Sequence, residues 1–228
     1  MVQASGDSRP IVTVTGISGF IGSHVGLTLL QDGSFKVRGT VRSKTNADKI
    51  DPLRRAYGEL FEQVELVEAD LLDADSLRNA IQGSTYVIHV ASPFVIDEPS
   101  DPMVLIRPAV EGTTAVLEAC KLAGVRRVSV TSSAAAVFET LNEDAPEVFD
   151  ESHWTNVDKP NLGAYEKSKT LAERAAWDFV ERMPEGQKIE LTTVCPAFVV
   201  GPTMIKGDFS SGKILSLFMN NNLPGGVP

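Results

Sequence analysis

Tyr165 and Lys169 stand four residues apart in "GAYEKSKTLAERAAW", a spacing that places a phenol and an amine on one face of a helix. A phenol titrates near ~10 and carries protons poorly at neutral pH until a neighbouring cation favours the phenolate. Lys169 is such a cation. Upstream, "VTSSAAAV" puts Thr131, Ser132 and Ser133 at the end of an apolar run, where a hydroxyl can polarise a carbonyl. Tyr-x-x-x-Lys by itself describes many exposed helix pairs. Its coincidence with the serine run and with the glycine turn described next gives it chemical meaning.

That turn is Gly16-x-x-Gly19-x-x-Gly22 in "VTGISGFIGSHVGLTLL", between a β-branched run and an apolar helical pattern. Glycine there permits a tight turn and close approach of a pyrophosphate to bare backbone, while the following helix offers N–H groups and a favourable dipole. Glycines that merely punctuate a turn would look alike; the position after a first strand favours phosphate. The spacing differs from the GxGxxG of dehydrogenases with separate substrate domains.

In such folds an acidic residue at the end of the second strand bonds the adenosine ribose of NAD. Here "TVRSKTNADK" offers Arg42 instead, with Lys44 and Lys49 nearby, so a ribose 2′-phosphate would meet cations and NADP(H) is the expected cofactor. Lys44 alone suits a solvated surface charge. Asp70 in "EADLLD" can accept from an adenine amino group or cap the helix that begins near Asp73. "HVASP" ends the fourth strand with small residues, and His89 within it suits a packed core position. Cys195, beside Pro196, suits filler rather than a nucleophile.

The elements that must carry these residues alternate. "IVTVT" (11–15), "KVRGTVR" (36–42), "VELVEAD" (64–70), "TYVIHVAS" (85–92), "RRVSVTSS" (126–133) and "IELTTVCP" (189–196) read as strands. Helical patterns cover 20–31, 45–57, 73–81, 101–123 and 163–182. Alternation with short connections implies right-handed crossovers and an α/β, Rossmann-like, doubly wound parallel sheet with helices on both faces. Leu171, Ala175, Ala176 and Phe179 on the last of these helices suit sheet packing or a dimer seam. The acidic stretch 141–154 suits a lid or a solvated loop equally.

The chain has 228 residues, 43% of them hydrophobic, and a formal charge of −9. That balance argues against a nucleic-acid or anionic-membrane partner, which would need basic patches. Cys120 and Cys195 form no CxxC and no His/Cys cluster, so neither a metal site nor a disulfide framework is expected. No apolar run approaches the ~20 residues of a membrane span, and the start lacks a signal-peptide core. A cytoplasmic protein is expected.

Together "TGISGFIGSHV", "TVRSKTN", "HVASP", "RRVSVTSSAAAV" and "YEKSKTLAERAAWDF" resemble the extended short-chain dehydrogenases/reductases, and within them the dihydroflavonol reductase and cinnamoyl-CoA reductase group with its methylglyoxal and aldehyde reductase relatives. The resemblance covers residues 10–205. It implies Tyr165 as proton donor, Lys169 as its electrostatic partner and a ligand of the nicotinamide ribose, and Ser133 as the carbonyl-orienting hydroxyl. It also implies a cofactor lined by Gly16, Gly19, Phe20, Ile21, Gly22, Arg42, Lys49, Asp70, Leu71, Val90, Ala91, Ser92, Tyr165, Lys169, Pro196 and Val199.

Three departures narrow the expectation. "NLGAYEKSK" lacks the aromatic and cysteine residues of cinnamoyl-CoA reductases, and Phe138 stands where flavonoid reductases place an asparagine. An aldehyde or ketone therefore fits better than a plant phenylpropanoid. Relatives also continue beyond residue 228, so residues 1–197 read as an NADP-binding domain with the catalytic residues, and 198–228 as the start of a C-terminally short substrate region. The expected protein is an NADPH-dependent carbonyl reductase, monomeric or homodimeric, acting on a small carbonyl compound. A hydroxysteroid dehydrogenase, a sugar-nucleotide epimerase and a non-catalytic NADPH-sensing module are the alternatives; Arg42 speaks against the NAD-dependent epimerase.

Overall fold

Ile11–Thr15 (β1) is β-branched at every position, which suits a strand covered on both faces, and four of its five residues are buried. This computed structural model describes residues 7–93, 99–138, 147–205 and 210–220. Lys36–Val41 (β2), Val64–Glu68 (β3), Tyr86–His89 (β4), Arg127–Thr131 (β5) and Glu190–Val194 (β6) complete one sheet. All its neighbours pair in parallel, in the order β3-β2-β1-β4-β5-β6. That order reverses direction between β1 and β4, the crevice where open α/β sheets bind ligands.

The crossovers are helices Phe20–Asp32 (α1), Ala47–Tyr57 (α2), Ala74–Ile81 (α3), Met103–Ala123 (α4) and Ala164–Glu181 (α5), followed after β6 by Ser210–Met219 (α6). Short 3-10 turns lie at Gly58–Gln63 and Ala134–Ala136. Two helix ends have clear local reasons. Asp73 caps α3 by accepting from the N–H groups of Asp75 and Ser76, and Gly124 ends α4 in the left-handed conformation.

Alternation along the strands divides the core between the two faces of the sheet. Val87 of β4 packs with Leu77, Ile81, Val116, Leu117 and Val128 on the side of α3, α4 and α5. Its neighbours Tyr86 and Ile88 turn the other way, toward Val14, Ile17, Val37 and Leu53 on the side of α1 and α2. The sheet is thus covered by helices on both faces, as expected.

The strands end earlier than their apolar runs. Residues 69–70, 90–92, 132–133 and 195–196 leave the ladder, and their backbone groups bond across the loops instead. Ala69 N–H donates to Val41, Ser132 N–H to Val194 and Ala134 N–H to Pro196, each at 2.8–2.9 Å. The residues of the runs that lie past the strand ends thereby become the irregular rim at the sheet's C-terminal edge. Among the described residues no helix is long and apolar enough to cross a membrane, and no His, Cys, Asp or Glu cluster could hold a metal ion.

Candidate functional site at the carboxyl edge of the sheet

The glycine turn closes on itself. Gly16 has φ +69°, a conformation that side chains disfavour, and a Cβ there would lie 3.1 Å from Cα of Ala91. A Cβ on Gly22 would lie 2.2 Å from the Gly16 carbonyl oxygen, inside any tolerable contact. Gly19, which donates to that same oxygen at 2.9 Å, is the N-cap of α1 and has no side chain to cover the positive end of the helix dipole. The turn is therefore a bare backbone cradle that can take an anionic group.

Thr15 joins this turn to the end of β4. Its Oγ1 accepts from the N–H groups of Val90 and Ala91, both at 3.1 Å, which leaves its own hydrogen for Nδ1 of His89 at 2.8 Å. Burial, reinforced by the Lys169 cation, lowers His89 to about 4. His89 is a neutral, packed histidine, as its setting in an apolar run leads one to expect.

Arg42, just past β2, and Lys49, in the first turn of α2, are exposed, and their side chains form no hydrogen bond or salt bridge with the described residues. The nearest strand-end acid is already engaged: Glu68 accepts from the backbone N–H of Lys44 at 2.8 Å. Asp70 accepts from Leu72 N–H at 2.9 Å, and the helix cap belongs to Asp73, so of the two roles open to Asp70 the capping one falls away. Leu71 packs over Gly112 of α4, where an added Cβ would come within 3.1 Å of it. Ser92 donates to the neighbouring Pro93 carbonyl at 3.4 Å. Phe20, Ile21 and Val199 line one apolar groove with His24, Ile88 and Val200.

Ser133 is the N-cap of the 3-10 turn Ala134–Ala136, and its Oγ accepts from Ala135 N–H at 3.2 Å. The Tyr165 hydroxyl donates to the same oxygen at 3.5 Å. Thr155, fully buried, bonds the carbonyls of Ala135 and Ala136 through its hydroxyl and amide and so fastens the segment before α5 to this turn. Tyr165 follows as the second residue of α5, whose small buried residues Ala164, Ala172 and Ala176 let the helix lie close. Phe179 packs beside them against the core, and Leu171 is half-buried. Lys169 Nζ lies 5.9 Å from the Tyr165 ring centroid. Burial lowers Lys169 to about 8 against the opposing pull of Cys195 and Glu173.

Cys195 is held above the usual thiol range by burial first, with Glu173 adding to it. Of the acidic stretch 141–154, residues 141–146 lie outside the described residues. In the remainder Phe149 meets Phe138 edge to face at 5.1 Å, and His153 bonds Asp150 at 2.8 Å. Three residues of this site escaped the sequence reading: Thr15, Thr155 and Glu173. Glu173 carried a legible signal, since it continues the four-residue spacing of Tyr165 and Lys169.

The sequence matches the NAD dependent epimerase/dehydratase family over residues 12–226. The chain belongs to that family. The chain is also similar to particular reductases of the extended short-chain type. Identity is 41% over 207 residues to dihydroflavonol 4-reductase of Zea mays, covering 87% of this chain and 55% of that protein. It is 41% over 207 residues to tetraketide alpha-pyrone reductase 1 of Arabidopsis thaliana, covering 90% and 60%. The crystal structure of yeast methylglyoxal/isovaleraldehyde reductase complexed with NADPH matches with a TM-score of 0.73 at 34% identity, covering 86% of this chain and 60% of that one. The chain thus spans between half and two thirds of the length of these family members.

Proposed function

We propose that this chain is an NADPH-dependent carbonyl reductase that acts on an aldehyde or ketone, with Tyr165 as proton donor. The observation that carries the reading is the meeting of Tyr165, Ser133 and Lys169 at the carboxyl edge of the sheet, two strands away from the glycine cradle with β4 between them. The yeast relative complexed with NADPH supports the choice of cofactor.

The residues present fit that cofactor. Gly16, Gly19 and Gly22, with Phe20 and Ile21 at the start of α1, form the bare cradle for a pyrophosphate. Arg42 and Lys49, exposed and without a side-chain partner among the described residues, offer cations for a 2′-phosphate. Asp70 and Leu71 would flank the adenine end, Val90, Ala91 and Ser92 would border the middle, and Lys169, Pro196 and Val199 would hold the nicotinamide end. Residues 1–197 then form the cofactor domain, and 198–228 begin the substrate region. In support of that division, Val199 and Val200 share a groove with the start of α1, and Phe198 is half exposed beside them.

When bound, NADPH supplies the hydride that reduces the carbonyl carbon. Ser133 Oγ already accepts from Ala135 and Tyr165, so its remaining hydrogen is available to a carbonyl oxygen. As a carbonyl enters, the Tyr165 hydroxyl turns its hydrogen away from Ser133 Oγ, 3.5 Å off, and gives the proton to the carbonyl oxygen as negative charge develops there. The Lys169 ammonium stabilises the phenolate left behind. Because burial draws Lys169 to about 8, its support fades as pH rises through that value.

Calorimetric titration with NADPH and NADH, followed by NADPH oxidation on a panel of aldehydes and ketones, tests the reading. NADPH is expected to bind more tightly and to be oxidised in the presence of at least one carbonyl. Equal binding of both nucleotides would contradict the cofactor assignment, and NADPH binding without turnover would favour a sensing module.

A further inference from the structure

Glu173 is a carboxylate buried in the middle of α5, 4% exposed, one turn beyond Lys169 and two beyond Tyr165. A carboxylate in such a place needs donors and a partner charge. Three donors converge on it. Ser132 Oγ–H and, at 3.4 Å, Cys195 Sγ–H donate to Oε2, and Trp177 Nε1–H donates to Oε1 at 3.3 Å. All three suit an ionised group, which accepts at both oxygens.

Two of these donors sit on the strand ends that build the site. Ser132 lies between β5 and Ser133, and Cys195 lies between β6 and Pro196. Resting on the reductase reading above, we propose that Glu173 is a positioning residue: its carboxylate fastens α5 to the ends of β5 and β6 and supplies the negative charge that keeps Lys169 protonated beside Tyr165.

The groups acting on Lys169 are Tyr165 and Glu173 from its own helix, Cys195 from the end of β6 and His89 from the end of β4. Burial keeps His89 neutral and the Cys195 thiol protonated. Glu173 is then the charge among them that opposes the desolvation of Lys169. Without it, Lys169 gives up its proton closer to neutrality, where Tyr165 needs the cation.

The test follows the titration of Lys169 in the ligand-free chain by carbon NMR of labelled lysine, its signal assigned by its loss in Lys169→Arg. Glu173→Gln keeps the shape and removes the charge; it is expected to lower the Lys169 midpoint by about one pH unit or more. Glu173→Asp keeps the charge and is expected to hold the midpoint near wild type. In NADPH-linked carbonyl reduction, the fall of kcat with rising pH moves down by the same interval in Glu173→Gln, with the low-pH rate nearly retained. A merely structural role would lower the rate equally at every pH.

An unchanged Lys169 midpoint in Glu173→Gln, a uniform loss of rate, or an Asp variant that shifts as far as the Gln one overturns the proposal. Should Glu173→Gln not fold, the carboxyl signal of Glu173 in the wild-type chain decides. It must inflect at the Lys169 midpoint, and a flat signal overturns the assignment. A Lys169 shift of the expected size, with no carbonyl reduced by the wild-type chain, supports the charge role of Glu173 and counts against the reductase reading alone.

Discussion

The hydroxyl oxygens of Tyr165 and Ser133 lie 3.5 Å apart although the residues are 32 positions distant in the chain. One begins a helix and the other caps a turn at a strand end, and the hydrogen bond between them is a long one. Thr155 bonds the Ser133 turn from the α5 side, and Glu173 bonds Ser132 from within α5. The pair is therefore fixed from two directions, as proton transfer over a hydrogen bond requires.

Arg42 is expected to decide between the two nicotinamide cofactors. Arg42→Ala should weaken NADPH binding by about 10- to 100-fold, the range for losing a hydrogen bond to a charged group, and leave NADH binding nearly unchanged. Parallel calorimetric titrations check this. Equal losses for both nucleotides would place Arg42 away from the 2′-phosphate.

Gly22→Ala should damage both the fold and the cradle, because its Cβ would sit 2.2 Å from the Gly16 carbonyl oxygen. Overpacking against backbone costs about 1–3 kcal/mol. Gly33→Ala is the control: it has φ +74° at the far end of α1, with open space around it, and should lose about 1–2 kcal/mol through backbone strain alone. Thermal unfolding should fall in both variants, and NADPH affinity only in Gly22→Ala.

His89 should make the chain acid-sensitive. Its folded value of about 4 lies below the ordinary 6.5, so the unfolded chain binds the extra proton first. Stability from this group is complete above 6.5 and is lost as pH falls toward 4, by about 3 kcal/mol in all. Denaturant unfolding across that window should show the loss, and His89→Gln should flatten it.

The sheet was legible because its strands are short, β-branched and apolar, and because each is followed by a helical period. The glycine spacing and the Tyr165–Lys169 pair were legible for the same reason: both are local patterns. Strand ends were not, because the apolar runs continue past the last ladder bond into "VAS" and "TSS", where backbone groups find partners in neighbouring loops. Thr15 and Thr155 were hidden by their residue types, and Glu173 is marked in the sequence by nothing but its four-residue spacing from Lys169. Each looks like an ordinary polar position until the fold brings its partners from 20 or more positions away.

The central claim is best tested by NADPH oxidation in the presence of a reducible aldehyde or ketone, with wild type and Tyr165→Phe measured side by side under saturating nucleotide. Loss of a positioned acid should lower the rate by about 10²–10⁴-fold while NADPH still binds the variant as it binds wild type. A Tyr165→Phe chain that reduces the carbonyl at the wild-type rate would contradict the account.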